Sequence, residues 1–250
     1  MFIAVGLDGI LTSPDGITWT QKTSDSGLLG IVYGNGLYVA VGLSGKILTS
    51  PNGSTWTPRG SGTINPLDEV TYGKGMFVVV GYWGTILTSI NGVTWTPRIS
   101  GTANTLLGVT YGSGMFVSVG DTGTILTSTN GVTWTQGESF TTNLIEGITH
   151  VNGTFVTVGI NGTILESDPV TYSLKVKISG KGNIVSALRG INCKKYCIGA
   201  YLFNDRLTLK AAPAKGYKFI GWSGACKGKK KSCKVTMDKA NALSAKFKKK

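Results

Sequence analysis

The segment Ile125-Leu-Thr-Ser-Thr-Asn-Gly-Val-Thr-Trp-Thr135 is written four times in this 250-residue chain. Its other copies span Ile10–Thr20, Ile47–Thr57 and Ile86–Thr96, and a shorter fifth copy begins at Ile164. The serine of the segment recurs at intervals of 37, 39, 39 and 39 residues, at positions 13, 50, 89, 128 and 167. A repeat of about 40 residues that holds several short strands is typical of a β-propeller, in which each repeat forms one blade.

Each full repeat contains four short runs rich in β-branched and aromatic residues, with Gly or Asn between them. In the second copy these runs are Leu28–Tyr33, Leu37–Val41, Lys46–Ser50 and Ser54–Pro58. They predict four strands joined by hairpin turns, where Gly and Asn supply the positive φ. The first unit has no opening strand and the fifth has three clear runs, so we predict an all-β propeller of about five four-stranded blades that is incomplete. Either the blades close into a ring or the chain is part of a longer protein, and we favour the longer protein because no signal peptide opens the sequence.

Charge and cysteine content divide the chain into two parts. Residues 1–171 carry five basic and ten acidic side chains, a net charge of −5, whereas residues 172–250 carry twenty basic and two acidic ones, a net charge of +18. All four cysteines lie in the second part. We therefore predict a propeller over 1–171 and a small, disulfide-bonded, β-rich domain over 172–250. No apolar run approaches the ~18–20 residues of a transmembrane span.

The repeated turn Ser13-Pro-Asp15-Gly-Ile-Thr-Trp19 resembles the Asp box of sialidase-like propellers, with Asn in place of Asp in the later copies. Its Asx side chain caps the turn, its Gly takes the left-handed conformation and its Trp packs between blades. In that family the enzymes use an arginine triad, a Tyr–Glu pair and an Asp acid/base. The repeats offer only Arg59 and Arg98, at equivalent positions. We therefore expect no catalysis, no cofactor and no metal, with a degenerate or truncated glycan-processing enzyme as the alternative.

The segments Gly190–Cys193, Gly216–Cys226, Ser232–Asp238 and Ala245–Phe247 resemble the divergent internalin B-repeat module over nearly all of 172–250. Such modules are found on secreted and surface-anchored bacterial proteins, so the resemblance implies that location. Four cysteines allow three pairings, of which the local pairs Cys193–Cys197 and Cys226–Cys233 are the simplest and match the module. A Cys₄ zinc site is the alternative, although the second spacing of seven is long for a pair of zinc ligands.

Function is expected where the repeats differ. The turn between the second and third strands reads Gly-Tyr82-Trp83-Gly in the third copy and carries smaller residues elsewhere. These turns share the usual ligand face of a propeller, so we predict that Tyr82 and Trp83, with Arg59 and Arg98, bind a glycan or a protein. The alternative is a Trp folded onto a neighbouring loop.

The lysines Lys227, Lys229, Lys230 and Lys231 form the densest cationic cluster. They predict attraction to an anionic cell-wall polymer or another polyanion, against the alternative of a merely solvated surface. Few aromatic residues stand among them, so nucleic acid would bind only non-specifically. The combined prediction is a non-catalytic, secreted or cell-surface adhesion protein, with a propeller scaffold or assembly factor as a further alternative.

Overall fold

The computed structural model describes residues 1–23, 26–188 and 191–250. Gly190 and part of the connection 21–27 lie outside the described residues. Contacts divide the chain into two units, Met1–Asp168 and Pro169–Lys250. Both are built from β-strands, and within the described ranges no helix is long and apolar enough to cross a membrane.

The first unit is a series of five antiparallel sheets, each formed by consecutive strands. Blade 1 contains β1 (Phe2–Gly6), β2 (Gly9–Ser13) and β3 (Thr20–Thr23). Blade 2 contains β4 (Leu28–Gly34), β5 (Leu37–Gly42), β6 (Ile47–Ser50) and β7 (Thr57–Arg59). Blade 3 contains β8 (Leu67–Gly73), β9 (Met76–Gly81), β10 (Thr85–Ser89) and β11 (Thr96–Arg98). Blade 4 contains β12 (Leu106–Gly112), β13 (Met115–Gly120), β14 (Ile125–Ser128) and β15 (Thr135–Gln136), and blade 5 contains β16 (Ile145–Val151), β17 (Thr154–Gly159) and β18 (Ile164–Glu166).

This arrangement confirms the predicted all-β propeller architecture of about five blades. Three four-stranded blades lie between two that have three described strands each. The predicted fourth strand, Ser54–Pro58, begins too early, because β7 starts at Thr57 and the residues before it form the repeated turn. A hydrogen-bonded turn of this length cannot also pair with a neighbouring strand.

The repeated turn is stabilised by its own side chains, as in blade 3. Asn91 Oδ1 accepts hydrogen bonds from the backbone N–H groups of Val93 (2.9 Å) and Thr94 (3.0 Å). Ser89 Oγ accepts one from Gly92 N–H (2.8 Å) and donates one to Asn91 Oδ1 (3.0 Å). Asp15 makes the same bonds in blade 1, and hydrogen bonds from Thr18, Ile17 and Ser13 lower the pKa of its carboxyl to about 2. The turn satisfies backbone donors locally and lets the chain reverse outside the sheet.

Neighbouring blades share apolar cores. One side of blade 3 places Val78, Val80 and Ile86 against the next blade; we call this side of any blade its trailing face. Blade 4 contributes Leu106, Val109, Phe116, Leu126 and Trp134 to the same core, and we call this side of any blade its leading face. The same register recurs between blades 2 and 3, and between blades 1 and 2.

The repeated tryptophans therefore pack against the preceding blade, as predicted, in three of four cases. Trp95 and Trp134 are each 9% exposed, and Trp56 is partly buried against blade 1. For Trp19 the prediction of a core position is wrong: its side chain is 41% exposed. Trp19 lies on the leading face of blade 1, where no described blade precedes it.

The second unit contains two four-stranded sheets, ordered β22-β19-β26-β24 and β21-β20-β23-β25. Their bounds are β19 (Thr171–Ser179), β20 (Gly182–Val185), β21 (Asn192–Cys193), β22 (Tyr196–Leu202), β23 (Arg206–Pro213), β24 (Tyr217–Gly224), β25 (Ser232–Thr236) and β26 (Asn241–Lys249). Strands β19 and β26 pair in parallel, and the other pairs are antiparallel. One apolar core with side chains from both sheets, including Val176, Leu209 and Phe247, holds them together.

Both local disulfides are present, Cys193–Cys197 and Cys226–Cys233, with Cα–Cα distances of 5.8 Å and 6.1 Å. The four thiols are thus used in pairs, and the described residues contain no cluster of His, Cys, Asp and Glu that could hold a metal. Strand β22 lies at the edge of its sheet. Its side chains alternate between partly covered and exposed, and only Tyr201 is fully buried.

Candidate functional site

The turn between β9 and β10 carries the two aromatic side chains that break the repeat. Tyr82–Gly84 forms a 3₁₀ turn, and Trp83 adopts the left-handed conformation, with φ 58° and ψ 37°. Ser44, Thr122 and Asn161 adopt similar angles at the equivalent positions of blades 2, 4 and 5. The turn thus imposes this conformation on whatever residue occupies the position. A bulky side chain is rarely found there, since a Cβ in the left-handed region costs about 1–2 kcal/mol.

The backbone around Trp83 is held from both sides. Tyr82 N–H donates to the carbonyl of Pro66 (3.0 Å), in the segment that leads into β8. Thr85 Oγ1 donates to the carbonyl of Tyr82 (2.6 Å) and accepts from Asn65 Nδ2 (2.9 Å). Tyr82 and Trp83 therefore lie on a turn whose backbone is held in place by hydrogen bonds.

Both rings of this turn face solvent. Trp83 is 71% exposed and Tyr82 40% exposed, so Trp83 is not folded onto a neighbouring loop. The backbone conformation is common to this turn in blades 2 to 5, so the feature particular to blade 3 is the exposed indole, which adds little to the core. Its indole is available as a flat surface on which an apolar or sugar face could stack.

Two carboxyls lie at the same end of blade 3. Asp68 and Glu69 follow Leu67 at the start of β8, where a β-bulge lies opposite Gly81 and Val80. Burial is the main cause that raises the pKa of Glu69 to about 7, opposed by a hydrogen bond from Val70 N–H and assisted by the charge of Asp68. Burial and then the charge of Asp121 raise the pKa of Asp68 to about 6. Near neutral pH Asp68 is therefore mostly ionised, while a large fraction of Glu69 carries a proton.

Sequence reasoning missed Asp68 and Glu69, although the repeat contains the signal. The position of Glu69 is occupied by Gly30, Gly108 and Gly147 in blades 2, 4 and 5. A Cβ at Gly30 would lie 2.8 Å from the Asp68 carbonyl oxygen and 2.9 Å from Glu69 Oε1, so the glycine of blade 2 makes room for the backbone of β8 as well as for this carboxyl. Blade 3 thus departs from the repeat twice at one end, once with aromatic rings and once with acids.

Arg59 and Arg98 are not brought together with the aromatic pair in one cavity. Arg59 Nε donates to Thr49 Oγ1 (2.9 Å) and Arg98 Nε to Thr88 Oγ1 (2.8 Å), so each ties the outer strand of its blade to the strand beside it. Arg59 lines a groove of about 880 Å³ and Arg98 one of about 550 Å³; the two grooves share the segment 60–63, and neither has Tyr82 or Trp83 in its described walls. Equivalent bonds in two blades indicate a structural role.

His150, the single histidine of the chain, is also structural. Its Nε2 lies 2.8 Å from Ser113 Oγ, and its ring packs on Phe155 with centroids 4.8 Å apart. Burial lowers its pKa. The ring fills the space over Gly112 of the preceding blade, as Tyr72 and Tyr111 do over Gly34 and Gly73.

The lysine cluster of the second unit lies on a short loop between β24 and β25. All four side chains are exposed, and the Cys226–Cys233 disulfide closes the loop at its base. Trp222 fixes the loop backbone: its N–H donates to the Gly228 carbonyl and its Nε1 to the Lys230 carbonyl, each at 2.8 Å. The cationic charges thus project from an ordered loop.

Residues 172–250 match the family model described as a divergent InlB B-repeat domain, which confirms the resemblance for this part of the chain. No curated protein matches the chain. Among solved structures, YCF48 bound to D1 peptide is similar with a TM-score of 0.53 at 13% identity, covering 97% of this chain and 76% of that one. The computationally designed Ika8 protein is similar with a TM-score of 0.50 at 8% identity, covering 94% and 82%. YCF48 from Cyanidioschyzon merolae has a TM-score of 0.49 at 16% identity, covering 76% and 68%. At such identities, the two scores of at least 0.50 show a propeller-like fold and nothing more.

Proposed function

We propose that this is a non-catalytic, secreted or cell-surface binding protein, whose propeller binds a glycan or a protein at the end of blade 3. The observation that carries the proposal is Trp83, which is 71% exposed while held in a left-handed conformation. The exposed ring contributes little packing to the fold, and the left-handed backbone at this position costs free energy. A ligand that stacks on the indole would supply the missing contact.

The chemistry around Trp83 favours a ligand with both flat apolar and hydrogen-bonding surfaces. Tyr82 extends the aromatic area, and Asp68 and Glu69 offer acceptors to hydroxyl or amide donors at the same end of the blade. Pyranose rings and peptide segments both meet this description. The structurally similar YCF48 has a peptide bound, which supports the protein alternative.

A single substitution can separate binding from folding at this site. Trp83→Asn removes the ring and installs the residue that blade 5 already uses in the same turn at Asn161. On glycan and peptide arrays, we expect this variant to lose about 30-fold in affinity, the effect of removing a tryptophan worth about 2 kcal/mol. Ser44→Asn, in the matching turn of blade 2, is the control and should bind as the parent does. Equal binding by Trp83→Asn and the parent to every ligand found would refute the site.

The second unit, in this proposal, attaches the protein to an anionic surface. It carries a net charge of +18 over residues 172–250, and its ordered loop presents Lys227, Lys229, Lys230 and Lys231 together. Because the loop backbone is already fixed, little conformational entropy is lost when its side chains meet phosphate, carboxylate or sulfate groups. Bacterial wall polymers carry such groups, and the internalin-type domain accords with a surface location.

A salt titration on immobilised heparin and on DNA tests this role. Replacing the four loop lysines by glutamine should weaken binding and, for DNA, flatten the dependence on log[salt] by up to about 3.6, since each phosphate contact contributes ~0.9. The matched control removes the same charge from exposed lysines of the strands, Lys175, Lys177, Lys210 and Lys234. Equal losses in both variants would show that the net charge acts and the loop does not, and salt-insensitive binding would refute the proposal.

A further inference from the structure

The trailing face of blade 5 has no described partner. Val158 is 50% exposed and Ile164 69% exposed. Their counterparts in blade 3, Val80 and Ile86, are 0% and 1% exposed because blade 4 covers them. The same apolar residues that form cores between the other blades therefore meet solvent here.

The leading face of blade 1 is uncovered in the same way. Leu11 is 38% exposed and Trp19 41% exposed, and Phe2, at the start of β1, is 54% exposed. The counterparts of the first two in blade 3, Leu87 and Trp95, are 2% and 9% exposed. Exposed β-surface of this kind invites contact with another chain.

These two faces are the two halves of one repeated interface. Each interior contact of the propeller joins a Val-and-Ile trailing face to a leading face with an aromatic ring, a tryptophan, a leucine of the third strand and two apolar residues of the first strand. The described residues of blade 1 supply the ring, the tryptophan and the leucine of these. Extensive contacts between described blades run in chain order, 1 with 2 through 4 with 5, and none of that extent joins blade 5 to blade 1. The two ends of the same chain therefore do not cover each other.

Val151 restricts which blade can pack against the trailing face of blade 5. Gly34, Gly73 and Gly112 leave room for the ring of the next blade: a Cβ at these positions would lie 2.0–2.2 Å from a Tyr72, Tyr111 or His150 ring atom. Blade 5 has Val151 at this position, and its side chain is 51% exposed. A following blade with an aromatic ring there would collide with Val151. The described strands of blade 1 bring no ring to this position, so its leading face fits.

We infer that two copies of this chain associate head to tail, with the leading face of blade 1 of one copy packed on the trailing face of blade 5 of the other. The contact repeats the chemistry of the blade interfaces within each copy. It is heterologous, so each copy keeps one free face unless the assembly closes into a ring. Association buries the exposed rings and aliphatic side chains at both ends, the driving force of most protein association.

Two surface variants each block one face. Ile164→Glu places a charge on the trailing face, and Leu11→Glu places one on the leading face, so the two blocked faces also repel each other. Ile99→Glu is the matched control, because Ile99 is 88% exposed on a connection after β11 and belongs to neither face. Far-UV circular dichroism and thermal unfolding would establish that each variant folds like the parent.

Light scattering coupled to size exclusion gives the decisive readings. The parent and Ile99→Glu should form species above the 26.3 kDa monomer that grow with concentration, and each blocked variant alone should be a monomer. Mixing the two blocked variants should give a 1:1 complex of twice the monomer mass and nothing larger, because one intact face remains on each.

Three results would overturn the inference. A parent that stays monomeric at all concentrations would show that the faces remain open or close within one chain. Oligomers that survive both substitutions would place the contact elsewhere. Blocked variants that fail to form the mixed complex would exclude a head-to-tail contact.

Discussion

Replacing Glu69 by glutamine should stabilise the propeller at alkaline pH and leave its stability almost unchanged in acid. Burial in β8 raises the pKa of this carboxyl from 4.5 to about 7. The folded state thus holds a proton that the unfolded chain has already released. The contribution to stability is full below about pH 4.5, falls as pH rises, and is lost once pH passes about 7.

The size of the effect follows from the shift. A pKa raised from 4.5 to about 7, at 1.36 kcal/mol per pH unit, gives an upper bound of about 3.4 kcal/mol for the free energy of unfolding. Partial contact with solvent reduces this, so we expect Glu69→Gln to raise the free energy of unfolding by about 1–3 kcal/mol at pH 8.5 relative to pH 4.5. Glutamine keeps an oxygen that can accept the hydrogen bond from Val70 N–H.

Urea denaturation followed by tryptophan fluorescence at several pH values measures this difference. Glu146→Gln is the control, because Glu146 holds the register position of Asp68 in blade 5 but is exposed, and its substitution should not change the pH profile. If parent and Glu69→Gln lose the same stability between pH 4.5 and 8.5, the pKa of Glu69 is the same in the folded and unfolded states and the argument fails.

Further substitutions test the packing, the repeated turn and a disulfide. Val80→Ala should destabilise the propeller by about 2–3 kcal/mol because it opens a cavity in a fully buried site, whereas Val158→Ala, at the same register in blade 5 but half exposed, should cost less than half of that in thermal unfolding. Asn91→Ala removes two turn hydrogen bonds and should cost about 1 kcal/mol by urea denaturation, and Asn91→Asp should restore most of it. Replacing Cys226 and Cys233 by serine should destabilise the second unit by about 2.5 kcal/mol, the chain-entropy value for so short a loop, and a calorimetric transition unchanged by the double substitution would contradict this.

The fold could be predicted from the sequence because the same strand and turn patterns recur in each repeat. The turn of Ser89, Asn91 and Gly92 is closed by its own side chains, so its sequence is sufficient to recognise it. Trp83 was also visible, because a repeat makes every departure from it conspicuous. The exposure of Trp19 was not, since it depends on which blade precedes blade 1 in space.

Glu69 shows why the rest of the site escaped sequence reasoning. An Asp-Glu pair in a strand ordinarily alternates between the two faces of a sheet, and at least one of the two then reaches water. The bulge between Leu67 and Glu69 shifts this alternation and turns Glu69 into the protein. The room it occupies is provided by Gly30 of another blade. Neither the bulge nor the partner glycine can be inferred from the residues around Glu69.

The candidate site lies in the blade best able to tolerate it. Blade 3 is the one described blade with a complete four-stranded blade on each side, and Phe77, Val78, Val79 and Val80 on its second strand are all 0% exposed. The left-handed turn is common to blades 2 to 5, whereas the exposed indole and two half-buried carboxyls with raised pKa values distinguish blade 3 among the described blades. Strained groups persist where the surrounding structure over-determines them. The aromatic pair and the two carboxyls thus occur together in the described blade that has a complete blade on each side, which accords with the binding site proposed at its end.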